Sequence, residues 1–231
     1  MSKSMPEFNR VHTWDALRFL GRLGDQSVDC AFLDPQYRGV LGQMKYGNEG
    51  KQRGQKRAAL PQMSDSQIGT IVIDLCRVLR PSGYLFLWTD KYQMVQGQIG
   101  DQLKGLLVAT SFEMVDFLNW YKNFMGMGYR VRSATEYVYV LQKAPKTTKN
   151  WTRHDISDTW IERPDRSAHP HAKPVALQRA LIEAVTEPEG VVVDPAAGSG
   201  SVLTAAVQCG RRFLGCDLVG RPVPESIDKL L

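Results

Sequence analysis

The chain has no run of apolar residues long enough to cross a bilayer, and residues 1–10 lack the zones of a secretory signal peptide. Cysteine is scarce. Cys30, Cys76, Cys209 and Cys216 are scattered, three of them inside apolar runs, and no two form a tight pair. That pattern predicts buried reduced thiols rather than a disulfide framework, and it points to the cytoplasm. No His and Cys residues share metal-ligand spacing, so no metal is expected. No internal repeat is visible. The charged share of 23% gives no sign of global disorder.

What is present fits one folded domain. There are 231 residues, 43% of them apolar, which is enough for a substantial core. The formal net charge is +5, a mild lean toward polyanions. Its distribution says more. Segment 38–57 carries Arg38, Lys45, Lys51, Arg53, Lys56 and Arg57 against Glu49 alone, so its excess of five equals that of the whole chain. The segment is rich in Gly and Gln with little apolar periodicity, and it reads as a long loop. A solvated loop and a polyanion-binding loop both remain open at this point.

Residues 28–33 form an apolar run that ends in Asp34-Pro35, as expected of a buried strand with polar residues at its C-terminal end. Ser64 or Ser66 is placed to cap a helix over 68–79, apolar at Ile68, Ile71, Val72, Leu75, Cys76 and Leu79. Pro81-Ser82-Gly83 should stop that helix, and 84–88 should form a strand. A second helix is expected within 94–107. Strands follow at 112–121 and 136–142, separated by the turn Gly126-Met127-Gly128. Residues 143–167 are polar and aperiodic, a linker or a small surface subdomain. A helix over 174–185 with Pro near its first turn, a strand at 191–193, a small-residue turn at 196–201, a helix over 202–209 and a strand at 212–216 complete the pattern. Strands alternating with helices predict an α/β domain with a mostly parallel sheet. Such sheets bind ligands at the C-terminal ends of their strands, and three aspartates stand there: Asp34, Asp194 and Asp217.

The stretch from Val191 to Ser201 reads as strand, glycine turn and helix start. Gly198 and Gly200 allow a sharp turn and close approach of a ligand. The helix N-terminus behind them offers unpaired N–H groups. Asp217 lies seventeen residues past Gly200, at the end of the next strand, where a carboxylate can accept two hydrogen bonds from a ribose diol. The three spaced glycines of a dinucleotide fold and the lysine of a phosphate loop are both missing, so a nucleoside without a long phosphate tail fits better.

Asp34-Pro35-Gln36-Tyr37 is the second constellation. A carboxylate can accept a hydrogen bond from an exocyclic amino group and orient its lone pair. Proline fixes φ and brings neighbouring carbonyls to a ligand. The tyrosine ring can stack on a flat base.

With these motifs in place, the chain resembles the amino-methyltransferases of DNA, in the circularly permuted beta class. That family carries Asp-Pro-Pro-Tyr, matched by Asp34 to Tyr37 with Gln36 in place of the second proline. It carries His-Pro-x-x-Lys-Pro, matched by His169 to Pro174. Its Asp-Pro-Phe-x-Gly-Ser-Gly is matched by Asp194 to Gly200, with Ala196 in place of Phe. The segments 77–83 and 126–132, the latter followed by Glu136, fall in the family's order. The match covers most of residues 25–220.

The resemblance implies a single Rossmann-like methyltransferase domain over 1–231, with a basic loop at 38–63 and a short target-recognition segment at 143–168. It implies S-adenosylmethionine as cofactor and DNA as partner, with a homodimer as the assembly. Asp34, Pro35, Gln36 and Tyr37 would be catalytic. Asp194, Pro195, Ala196, Gly198, Ser199 and Gly200 would hold the methionine part of the cofactor and Asp217 its ribose, with His169 and Lys173 as a second contacting segment. The expected reaction is transfer of a methyl group to adenine N6, since a first-position Asp goes mostly with adenine in this family. Cytosine N4, an RNA or protein-amide target, and a non-catalytic DNA-binding module are the rival readings. Trp88 and Trp120 are expected in the core rather than lining a pocket. Trp151 and Trp160, near Arg153, His154, Arg163 and Arg166, are open between packing and contact with DNA.

With recognition expected to lean on the basic loop, Arg38, Lys45, Lys51, Arg53, Lys56 and Arg57 are the candidate DNA contacts. Neutralising Lys51, Arg53, Lys56 and Arg57 together is expected to weaken DNA binding. It should also flatten the slope of log K against log salt by about 0.9 for each lost phosphate contact. Fluorescence titrations at several salt concentrations check this, and an unchanged slope makes the loop a solvated surface.

Overall fold

The computed structural model describes residues 5–35, 63–89, 91, 94, 98–126, 130–165 and 172–218. The basic loop 38–57, Gln36, Tyr37 and His169 lie outside the described residues. Eight strands form one sheet: β1 (Val11–Thr13), β2 (Val28–Leu33), β3 (Leu79–Thr89), β4 (Phe112–Tyr121), β5 (Thr135–Lys143), β6 (Thr159–Ile161), β7 (Val191–Asp194) and β8 (Arg212–Asp217). The helices are α1 (Ala16–Leu20), α2 (Asp65–Val78), α3 (Gln98–Ala109), α4 (Val175–Val185) and α5 (Ser201–Gln208).

The strand order is β1-β8-β7-β2-β3-β5-β4-β6. Only the pairs β3–β5 and β4–β5 are antiparallel, so the sheet is mostly parallel, as expected. Parallel strands need covered faces, and the alternation of side chains supplies two cores. Ala31, Leu33, Leu85, Leu87, Val193 and Leu214 pack with α1, α2 and α3. Cys30, Phe32, Phe86, Trp88, Val192 and Phe213 point the other way and pack with α4 and α5. None of the cysteines is in a disulfide; Cys30, Cys76 and Cys216 are buried and Cys209 is partly so. Burial pushes the Cys30 and Cys216 thiols up, which keeps them protonated. Among the described residues, no helix is long and apolar enough to cross a membrane.

Most strand and helix expectations hold, with instructive shifts. Helix α2 starts at Asp65 rather than at Ile68. Its first turn is exposed, so apolar periodicity does not register it. Ser64 and Gln67 close a reciprocal capping box there, with Ser64 N–H donating to Gln67 Oε1 at 2.8 Å. Strand β3 starts at Leu79, so Pro81-Ser82-Gly83 lies inside it. The register passes from Val28↔Leu79 to Cys30↔Tyr84, and the surplus residues form a bulge that exposes Arg80 and Pro81 and buries Ser82, at φ 62°. The Ser82 hydroxyl anchors the bulge on the Pro145 carbonyl at 2.6 Å.

Three short elements are absent from the sequence reading. Strand β1 extends the sheet beside β8, and α1 follows it, capped by Asp15. Strand β6, within the aperiodic 143–167 stretch, pairs parallel to β4. Three to five residues are too few to display a period. Trp151 and Trp160 both pack against the second core. Trp151 donates its indole N–H to the Arg153 carbonyl and Trp160 donates to Glu162 Oε2 at 2.8 Å. Both are partly buried there.

The connection after β7 leads through α5 to β8 on one side, while the connection after β2 leads to β3 on the other. The order therefore reverses between β7 and β2, and a crevice opens at their C-terminal ends. Gly215 of β8 sits tightly beside this crevice. A Cβ there would lie 2.3 Å from the Phe213 ring and 2.8 Å from the Asp194 carbonyl oxygen. Gly215→Ala is expected to cost about 1–3 kcal/mol by overpacking, read as a lower urea midpoint. A midpoint equal to that of the wild type would show that Phe213 and β7 yield freely.

Candidate active site

The three strand-end aspartates do converge. Asp194 ends β7 beside β8, in register with Gly215, and Asp217 is the last residue of β8. Asp34 follows β2, whose Ala31 pairs with Val193 of β7. Asp194 is fully buried. Burial and repulsion from Asp34 and Asp217 push its carboxyl up to about 8, against the opposing hydrogen bond from Ala196 N–H.

The loop after β7 is built by its own backbone. Ala196 N–H donates to Asp194 Oδ1 at 2.9 Å, and Ala197 N–H donates to the Cys216 carbonyl at 2.9 Å. Gly198 N–H donates to Asp217 Oδ2 at 3.1 Å, so the loop and the β8 carboxylate hold one another. The Pro195 carbonyl accepts from the Cys216 thiol at 3.2 Å. Gly198 and Gly200 take φ 48° and 76°, the left-handed region that glycine enters without strain. Gly200 then caps α5, and no side chain covers the first helical N–H groups. A Cβ on Gly200 would meet nothing within 4 Å. Among the described residues, the loop is therefore open at Gly200, with the uncapped N–H groups of α5 behind it and the Asp194 and Asp217 carboxyls at its ends. Such a donor set suits a ligand that carries a carboxylate, an ammonium and hydroxyls.

Lys173, expected as part of a second cofactor-contacting segment, is ion-paired with two carboxylates. It is 3.0 Å from Asp34 Oδ2 and 2.7 Å from Glu136 Oε2. The Lys122 ammonium meets Glu136 Oε1 at 2.5 Å. Four charges thus alternate in sign from Lys122 through Glu136 and Lys173 to Asp34. They rest on two buried indoles, with Lys173 Nζ 4.9 Å over the Trp88 ring and Lys122 Nζ 5.4 Å over Trp120. Trp88 and Trp120 meet edge to face at 5.8 Å, as core residues. Burial alone would raise the Glu136 carboxyl, but Lys173 and Lys122 bring it down to about 2. Burial likewise opposes the Lys173 charge, and Asp34 and Glu136 hold that ammonium well above the usual lysine value.

Sequence reasoning gave no role to Glu136 or Lys122. The available signal was a lysine just past one strand and a glutamate at the start of the next, on either side of a glycine turn. Only the antiparallel pairing of β4 with β5, Trp120 opposite Glu136, brings them together. Among the described residues no cluster of His, Cys, Asp and Glu is fit to hold a metal ion. A cleft of about 420 Å³ lined by Arg80, Thr152, Glu187, Glu189 and Arg212 lies at the opposite edge of the sheet, where β7 and β8 begin.

The raised Asp194 carboxyl has a consequence for stability. A group that binds its proton more tightly when folded stabilises the fold below its unfolded value, 3.8, and loses that contribution as pH rises toward about 8. Wild-type stability is therefore expected to fall relative to Asp194→Asn across that window. Urea unfolding of both proteins at several pH values measures the difference, and a pH-independent difference would refute the raised carboxyl.

Comparison with known proteins identifies the family. A family model described as DNA methylase matches residues 28–221. The Type II methyltransferase M.HhaII of Haemophilus parahaemolyticus is 46% identical over 213 residues, 91% of this chain and 91% of that protein. A putative DNA modification methylase of Thermus thermophilus, TTHA0409, solved in complex with S-adenosyl-L-methionine, superposes with a TM-score of 0.66 at 20% identity, over 96% of this chain and 93% of that one. The cytosine-N4-specific PvuII DNA methyltransferase gives a TM-score of 0.67 at 17% identity, over 95% and 90%. At those identities the two solved structures speak for the shared fold alone. The family match across most of the chain, together with a relative of 46% identity over nearly its full length, makes this protein a member of the N6/N4 DNA methylase family.

Proposed function

We propose that this protein transfers a methyl group from S-adenosylmethionine to the N6 amino group of adenine in DNA, as an enzyme of the Type II kind for which M.HhaII is named. The observation that carries the reading is the Asp34 carboxylate, held by Lys173 across the switch point from the Asp194–Gly200 loop and Asp217.

The open loop fits the proposed cofactor. The uncapped first N–H groups of α5 suit the methionine carboxylate, the Asp194 carboxyl can accept from the ammonium, and Asp217 suits the ribose hydroxyls. When bound, S-adenosylmethionine supplies an activated methyl group whose bond to sulfur breaks as the bond to nitrogen forms. The protein's task is then to position the nucleophile in line. An adenine amino nitrogen is a poor nucleophile because its lone pair is delocalised into the ring. Asp34 and the Pro35 carbonyl accept its two N–H bonds and draw it toward tetrahedral geometry. The same carboxylate stabilises the positive charge that develops on nitrogen and stands ready for the released proton. Tyr37 stacks on the base, which offsets about 1–3 kcal/mol of the cost of leaving the helix. Residues 38–57 supply the phosphate contacts.

The test is chemical. Unmodified DNA is incubated with the protein and S-adenosylmethionine, digested to nucleosides and resolved by mass spectrometry. N6-methyladenine is the expected product. N4-methylcytosine without methyladenine would replace the assigned base, and no methylated nucleoside at all would overturn the activity.

A further inference from the structure

Drawing four charges into a row that is only 15–30% exposed is costly, because each loses part of its hydration and needs close partners in return. An apolar replacement of the inner pair would close the same space without that cost. The arrangement is also asymmetric. Glu136 receives one lysine on each oxygen and is screened on both sides, while Asp34 stands at the end of the row, at the mouth of the crevice. The elements that carry the row are far apart in sequence: the end of β4, the start of β5, the segment before α4 and the end of β2. Such a row transmits rigidity from the antiparallel end of the sheet to the switch point.

We propose that Lys122, Glu136 and Lys173 form a positioning device that holds the Asp34 carboxylate ionised and in one orientation toward the target amino group. This rests on the reading of Asp34 as the acceptor for that group. Lys173 is the operative member. Its ammonium occupies Oδ2 of Asp34 and so fixes the plane of the carboxylate. Glu136 is a positioning residue one step removed. It anchors Lys173 at 2.7 Å and stops the lysine from following its own rotameric freedom. The indole of Trp88 beneath the ammonium limits its motion from the other side. Among the described groups, the Lys173 cation lies 3.0 Å from Asp34, Glu136 and Lys122 stand behind the lysine, and the Asp194 carboxyl interacts with Asp34 across the switch point. The Lys173 cation opposes protonation of the carboxylate it pairs with.

The experiment uses DNA amplified in vitro, tritiated S-adenosylmethionine and five proteins: wild type, Lys173→Met, Lys173→Arg, Glu136→Gln and Asp34→Asn. Lys173→Met is expected to lower kcat by at least about tenfold and to move the acid limb of the kcat–pH profile up by about one to three pH units. Lys173→Arg should keep the limb near its wild-type position and recover part of kcat. Glu136→Gln should lower kcat with the KM for S-adenosylmethionine within about twofold of wild type. Its acid limb should not rise, because removing an anion does not favour protonation of Asp34. If Lys173→Met folds poorly, the Lys173→Arg and Glu136→Gln profiles still decide. A wild-type kcat in Glu136→Gln overturns the device. So does a raised KM for S-adenosylmethionine at unchanged kcat in either lysine variant, which would make Lys173 a cofactor contact instead. Asp34→Asn separates the two readings. If it retains wild-type turnover, the assignment of Asp34 fails; if it is inactive while the other variants behave as wild type, the device alone fails.

Discussion

The Lys173 ammonium is the point at which the two halves of this sheet are tied together. It stands before α4 on the parallel side, touches the carboxylate that ends β2, and reaches the glutamate that opens β5 on the antiparallel side. Its charge survives burial because two carboxylates share it, and Glu136 stays ionised because two lysines share that in turn. Removing Glu136 would take from both lysines a carboxylate at hydrogen-bond distance, which costs more than the row itself. The two indoles below cover one side of the row. They also offer their electron-rich faces to the cations, so the second core and the charged row depend on one another.

The parallel half supplies the other requirement of the proposed function, an open turn followed by the uncapped N-terminus of α5. Two left-handed glycines turn the chain over the end of β7, and Asp217 of the neighbouring strand pins the turn through the Gly198 N–H. Close packing of β8 on β7 at Gly215 brings these pieces within reach. Strand β2, which leads to Asp34, precedes β7, which ends in Asp194, by most of the chain length, yet the two are hydrogen-bonded neighbours. Permuted motif order is therefore no obstacle to a single site, because adjacency is decided by the sheet and not by the chain.

A large part of this was legible in the sequence. The apolar run of β2, the β-branched run of β7 and the amphipathic stripes of α2 and α4 state their burial by period alone, because every second or every third and fourth residue must face a core. The Gly198-Ser199-Gly200 turn and the three strand-end aspartates were readable for the same local reason: a tight turn needs glycine, and a strand of a parallel sheet presents its last residues to the crevice. The bounds of α2 and β3 were less legible. An exposed capped turn carries no apolar period, and a proline and a glycine can sit in a bulge as well as in a stop. The short elements β1, α1 and β6 left no periodic trace at all.

Sequence alone determined the fold class, the order of the motifs and the residues that end the key strands, since each follows from patterns that neighbouring residues impose on one another. The tertiary structure alone decided what those residues do to each other. That Lys173 lies on Asp34 and Glu136, that Lys122 completes the row, and that Asp194 holds its proton up to about 8 all depend on groups distant in the chain. Electrostatic interaction in a site with little water depends on distance and burial, and neither is a property of sequence spacing.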